Sequence, residues 1–151
     1  MIKKERSKAM NYLEIEDFVQ IVESLQSMQD EFDEEVPGFE TRYPGRLEGI
    51  IGQLNSNYFG RELYKGVVSK ATWMFYCLNK NHPFFNGNKR VSVIALFEFL
   101  KRNTTELYLD EGNILNDLSA MAIRTAESKP EEIEQVKNYL KRKIRSFIIE
   151  F

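Results

Sequence analysis

One ten-residue stretch of the chain, Asn81 to Arg90, brings together residue types that could carry out catalysis. His82 is the single histidine of the chain, and histidine is the side chain that most readily accepts a proton near neutral pH. Pro83 follows it, which predicts that the preceding helix ends here and that His82 is extended. Gly87 allows a backbone turn that other residues resist. The stretch is therefore predicted to be a sharply turned loop that presents a general base.

Positive charge follows the turn, because a helix is predicted to begin at Asn88. Helix N-termini carry unpaired N–H groups and a partial positive charge, which together bind anions. Lys89 and Arg90 add two cations in the first turn, where they oppose the helix dipole unless an anion is bound. A neutral imidazole beside such a site can take the proton of an attacking hydroxyl, which indicates phosphoryl or nucleotidyl transfer. From these residues alone, a capping histidine beside a solvated cationic pair is an equally good interpretation.

Apolar residues at spacings of three and four predict six helices within one domain that spans residues 1–151. The two central helices are predicted at about 62–79 and 88–101, on either side of the loop. The second is apolar nearly all round, so we expect it to be buried at the centre of the fold. Gly66 is expected to weaken the interior of the first helix by roughly 1 kcal/mol. Residues 128–131 match a capping box and predict the start of the last helix.

Composition and charge restrict the function further. The 151 residues are 42% hydrophobic, which suits one domain with a real core. The single cysteine, Cys77, excludes an intramolecular disulfide framework and a cysteine-based zinc site, and it fits a reducing compartment. A net charge of −2 argues against direct nucleic-acid binding by the whole molecule. No apolar run approaches the roughly 18 residues of a membrane span, and no apolar segment follows the basic N-terminus, so we expect a cytoplasmic protein without membrane contact.

Two charged segments each have two interpretations. Asn11 to Val36 contains nine acidic residues and no lysine or arginine, which is typical of a solvated helix face or of a docking face for a basic partner segment. The last helix is basic from Lys137 to Arg145. We interpret it as a solvated face, and a DNA-binding regulator that uses this helix is the least favoured function.

The loop residues resemble the signature of the Fic/Doc family, which reads His-x-Phe-x-Asp/Glu-Gly/Ala-Asn-Gly/Lys-Arg. The matching positions in this chain are His82, Phe84, Gly87, Asn88, Lys89 and Arg90. Lys89 where Fic proteins carry glycine, and Val93 where they usually carry a second arginine, resemble the death-on-curing (Doc) toxin branch. The run from Pro44 to Glu48 is also similar to the start of an early helix in Doc-like proteins.

This resemblance implies a compact all-α fold of about six helices, with the motif loop joining the two central ones. It implies that His82 is the general base for a Ser, Thr or Tyr hydroxyl of a target protein. Nucleotide and phosphate binding is implied for Phe84, Gly87, Asn88, Lys89 and Arg90. ATP or another nucleoside triphosphate and Mg²⁺ are the implied co-substrate and metal, and a small antitoxin protein is an implied partner. Doc-like proteins transfer the terminal phosphate, whereas Fic enzymes transfer AMP.

Asn86 departs from the family pattern, which has an acidic residue at this metal-binding position. Mg²⁺ favours carboxylate oxygens, and an amide offers only one neutral oxygen. Three explanations are open: an engineered inactivating substitution, a natural change that weakens activity while binding remains, or a metal held mainly by nucleotide phosphates and water. We favour the first two. The leading hypothesis is a Doc-like transferase, and the alternative is a catalytically silent nucleotide- or antitoxin-binding protein.

Overall fold

The computed structural model describes residues 10–28, 35–55, 57–58, 61–62, 66–108 and 114–148. Over these residues the fold is all-α, as predicted. The helices are α1 (Ile15–Ser27), α2 (Arg46–Leu54), α3 (Gly66–Lys80), α4 (Asn88–Asn103), α5 (Ile114–Glu127) and α6 (Ile133–Phe147). Two 3₁₀ turns (Phe39–Thr41 and Pro130–Glu132) and a two-residue hairpin of β1 (Asn57–Tyr58) and β2 (Arg61–Glu62) complete the elements. Among the described helices, none has the length and apolarity that crossing a bilayer requires.

The centre of the fold is α3, which packs against α2, α4, α5 and α6. Nearly every residue from Lys70 to Asn79 is buried, including those on the side away from α4. The prediction that α4 would be the central helix is therefore wrong. One face of α4 is buried, through residues such as Val91, Ala95 and Phe99, whereas Val93 and Ile94 remain partly exposed. Apolar composition did not distinguish the two helices, because burial depends on how many neighbours cover each one.

The start of α3 also differs from the prediction. Glu62 lies in β2, where it pairs with Asn57, and the helix begins at Gly66. Gly66 has a φ of +77°, in the left-handed region that glycine adopts without strain. It therefore turns the chain into the helix instead of weakening a helix interior.

Helix α1 is fastened to the C-terminal half of α4. Arg102 donates from Nη2 and Nη1 to the two carboxylate oxygens of Asp17, at 2.6 and 3.1 Å. Asn103 makes a reciprocal pair with the backbone of Asn11, accepting from its N–H at 2.8 Å and donating to its C=O at 2.9 Å. These contacts hold one end of α4, while its other end carries the motif loop.

Backbone contacts join the end of α6 to the segment that follows α4. Leu107 and Ile148 form an isolated antiparallel bridge. The cap before α6 is one residue later than predicted: the carboxylate of Glu132 accepts the N–H of Lys129 at 2.8 Å. The hydroxyl of Ser128 instead donates to the carbonyl of Thr125 at 2.7 Å, because that carbonyl lies at the end of α5.

Candidate active site

The motif loop connects α3 to α4, as predicted, and exposes His82. Helix α3 ends at Lys80. His82 is exposed to solvent, whereas the adjacent Pro83 is buried. The expectation that His82 is extended is wrong, because its φ is +44°. That value lies in the left-handed region, which a non-glycine residue adopts only when surrounding contacts hold it there.

Those contacts come from the segment that leads into α2. Three consecutive carbonyls of the loop accept hydrogen bonds from it. Arg46 donates from Nη1 to the carbonyls of Asn81 and His82, at 3.2 Å each. The backbone N–H of Tyr43 donates to the carbonyl of Pro83 at 2.9 Å. Tertiary hydrogen bonds thus outweigh the local preference that proline imposes on the residue before it.

The other half of the loop is closed by Asn88. Its side-chain oxygen accepts the N–H of Phe84 at 3.0 Å, and its amide donates to the carbonyl of the same residue at 2.8 Å. Asn88 is 8% exposed and Phe84 is 4% exposed, so both bonds are made out of contact with bulk water. The ring of Phe84 packs against Phe39 with centroids 6.1 Å apart. Phe84 thereby anchors the loop in the core, and a direct contact between its ring and a nucleotide stays a prediction.

The N-terminus of α4 is arranged to receive an anion. Gly87 is its N-cap residue with a φ of +83°, and no side chain of the described residues caps the helix there. Its first turn contains no acidic residue, while Lys89 is exposed and Arg90 is half-buried in that turn. The first N–H groups of a helix have no intrahelical acceptor. N–H groups without an intrahelical acceptor, the helix dipole and two cationic residues therefore occur in the same helical turn, which favours a phosphate.

The donor set does not fit a magnesium ion held by protein carboxylates. Asn86 is exposed and offers a neutral amide oxygen, and residues 81–90 contain no aspartate or glutamate. Across the described residues there is no group of three His, Cys, Asp or Glu side chains that could hold a metal ion. The place of Asn86 as a metal ligand therefore stays a prediction that this donor set does not support.

Aromatic and cationic side chains beside His82 were not identified from the sequence. Tyr43 meets the exposed ring of Phe85 edge to face, with centroids 4.6 Å apart. The guanidinium of Arg46 lies over the ring of Tyr43 at 4.1 Å. The Pro44-Gly45 pair was a signal for a turn at this point, but no periodicity indicates that this turn contacts a loop more than 30 residues away.

Comparison with known proteins identifies the family of this chain. A family model described as the Fic/DOC family matches residues 12–100, which is more than half of the chain. Because this match covers most of an all-helical fold, the chain belongs to the Fic/Doc family. Members of this family transfer nucleotide-derived groups to proteins.

A curated protein described as a cytidylate kinase, from Mycoplasma capricolum subsp. capricolum (strain California kid / ATCC 27343 / NCTC 10154), is 30% identical over 76 residues. The match covers 50% of this chain and 33% of that protein, so the chain spans about a third of the length of the relative. No solved structure matches the chain significantly. This chain contains no Gly-x-x-x-x-Gly-Lys-Ser/Thr motif, so it does not carry the P-loop of Walker-type nucleotide-binding proteins.

Proposed function

We propose that this protein is a Doc-type transferase that moves the terminal phosphate of a nucleoside triphosphate to a hydroxyl of a target protein. The observation that carries the proposal is an exposed histidine in the loop that leads into a helix N-terminus with two cationic residues and no side-chain cap. Lys89 and Val93 favour the Doc branch over AMP transfer, because Fic enzymes carry glycine and usually arginine there. A protein substrate agrees with the open position of His82, and a small antitoxin that covers this surface is the expected regulator.

The proposed reaction uses the residues of the loop in distinct roles. His82 accepts the proton of the target hydroxyl as its oxygen attacks the terminal phosphorus. The bond between that phosphorus and the bridging oxygen breaks, so the nucleoside diphosphate leaves and a phosphoester forms on the target. The N–H groups at Gly87, Asn88 and Lys89 form the anion hole for the phosphate oxygens. Arg90 binds a nucleotide phosphate through its planar guanidinium, which suits bidentate contact.

Labelled ATP tests this proposal directly. The chain is incubated with a cell lysate and ATP labelled at either the α or the γ phosphate. We expect the γ label on a protein and no α label. Robust α label with release of pyrophosphate would instead place the chain with the AMP-transferring enzymes.

His82→Ala is the companion variant, because His82 is exposed and its removal is expected to leave the fold intact. We expect transfer to fall by about 10²–10⁴-fold, the usual contribution of a general base. Circular dichroism verifies that the variant is folded. Undiminished transfer by the folded variant would remove the catalytic role from the loop.

A catalytically silent binding protein is the second candidate, and Asn86 is the observation that favours it. An amide at this position leaves the anion hole and Arg90 unchanged while removing the negative charge that would hold a metal. Nucleotide binding without transfer, measured by calorimetry on the native chain, would support this candidate. In that case the Asn86→Asp variant should acquire transfer activity.

A further inference from the structure

The geometry points to Arg46 as the positioning residue of His82: its guanidinium holds the backbone that presents the imidazole. This inference rests on the proposed function, in which His82 is the base. The residue lies outside the Fic/Doc signature and outside the motif loop, at the first position of α2. It acts on the backbone of the loop, so its effect on transfer would pass through His82.

The first support is the hydrogen-bond pattern. Arg46 Nη1 donates to two successive backbone carbonyls, those of Asn81 and His82, at 3.2 Å each. Two carbonyls converge on one donor nitrogen only if the backbone between them turns sharply. The φ of +44° at His82 is that turn. Without Arg46, only the bond from Tyr43 to the carbonyl of Pro83 would remain of the three that hold this part of the loop.

The second support is the way in which Arg46 is itself held. Its guanidinium lies 4.1 Å from the centroid of Tyr43, and the N–H of Tyr43 donates to the carbonyl of Pro83 at 2.9 Å. Gly45 precedes Arg46 with a φ of +79° and has open space where a Cβ would stand. The glycine is therefore required by backbone conformation, since it turns the chain so that Tyr43 and Arg46 both face the loop.

Arg42 is a matched control, because it repeats the arrangement while its side-chain hydrogen bonds go to Glu48 and Phe39, outside the motif loop. Its guanidinium lies 4.1 Å from the centroid of Phe39, as Arg46 does over Tyr43. Arg42 donates to the carboxylate of Glu48 at 3.0 and 3.1 Å. Replacing either arginine by alanine removes one stacked cation from the same segment, and only Arg46→Ala releases His82.

The experiment combines one spectroscopic and one kinetic measurement. Because the chain has a single histidine, histidine labelled with ¹³C at the carbonyl gives one backbone resonance in a protein without a histidine tag. We expect Arg46→Ala to shift or broaden this resonance and Arg42→Ala to leave it in place. Equal behaviour of the two variants would overturn the inference, whatever the activity of the protein.

The kinetic arm measures transfer from γ-labelled ATP, with the native chain or with Asn86→Asp if that form is the active one. We expect Arg46→Ala to lower kcat by about 10-fold or more, since small misplacements of a catalytic group have effects of this size. The KM for ATP should change less than kcat, and Arg42→Ala should match the parent. A raised KM with unchanged kcat and an unmoved resonance would make Arg46 a ligand contact and overturn the inference.

Combining Arg46→Ala with His82→Ala separates positioning from independent action. A residue that acts through His82 has no further effect once the imidazole is gone, so the double variant should equal His82→Ala alone. Additive losses would contradict the inference. If neither the native chain nor Asn86→Asp transfers label, the proposed function is wrong, and the hold of Arg46 on His82 is decided by the carbonyl resonance alone.

Discussion

Replacing Asn88 by alanine should destabilise the protein far more than its position at a loop–helix junction implies. Asn88 closes the loop through bonds of 3.0 and 2.8 Å to the N–H and C=O of Phe84. Both bonds are buried, and each buried backbone group left without a partner costs about 1–3 kcal/mol. Allowing for partial relaxation of the loop, we expect a loss of about 2–4 kcal/mol, a large share of the 5–15 kcal/mol that typical domains possess.

The other end of α4 supplies the control for this prediction. Asn103 makes a similar reciprocal pair with the backbone of Asn11, at 2.8 and 2.9 Å, through exposed bonds that water can replace, and its amide also donates to the carbonyl of Phe99 at 2.8 Å. We expect Asn103→Ala to cost about 0.5–1 kcal/mol, because an exposed hydrogen bond exchanges with solvent. The comparison therefore contrasts a buried reciprocal pair of hydrogen bonds with an exposed one.

Urea unfolding followed by circular dichroism measures both variants against the parent chain. At about 2–4 °C for each kcal/mol in a domain of this size, Asn88→Ala should also lower Tm by roughly 5–15 °C. An unchanged m-value would show that the unfolded state is not the source of the difference. Equal losses for Asn88→Ala and Asn103→Ala, or a loss below about 0.5 kcal/mol for the former, would refute the reasoning from burial.

Three further predictions concern charge and reactivity. Asn86→Asp should raise the transfer rate and lower the Mg²⁺ concentration needed, because a carboxylate supplies the charge that an amide lacks; equal rates for both forms at low Mg²⁺ would show that position 86 is not a metal ligand. The hydrogen bond from Arg102 lowers the pKa of Asp17 below its ordinary value of 3.8, against the opposing effect of burial. The Asp17 contribution to stability is therefore fully present above pH 3.8 and is lost as the pH falls through the lowered pKa. The difference in unfolding free energy between the parent and Asp17→Asn should shrink in acid. A pH-independent difference would contradict the role of the Asp17–Arg102 pair. Burial raises the pKa of Cys77 to about 12, only partly offset by Lys137, so its thiol should react with a disulfide reagent at the rate of unfolding, and rapid labelling of the native protein would refute this.

The periodicity of apolar residues was sufficient to predict the helices, because helix formation follows from local spacing. Three of the six helices carry Phe18, Ile50 and Leu140, and each of these side chains is buried in the core. The same argument failed for the degree of burial of α3 and α4, since their sequences do not record how many neighbours cover each helix. Short-range rules also predicted the start of α3 too early, at about residue 62. The helix begins at Gly66, whose positive φ forms a turn.

The candidate site also has features that the sequence determined and features that only the tertiary structure decided. The sequence by itself determined the chemical groups: one histidine, a turn at Gly87 and two cations at the beginning of a helix, all within nine residues of one another. Only the tertiary structure placed Arg46 against the carbonyls of the loop and set His82 in the left-handed region. The physical reason is the separation along the sequence between the residues that interact. Helix ends and glycine turns depend on neighbours a few residues away, whereas the contact between Arg46 and His82 joins residues 36 positions apart and forms only when α2 packs on α3.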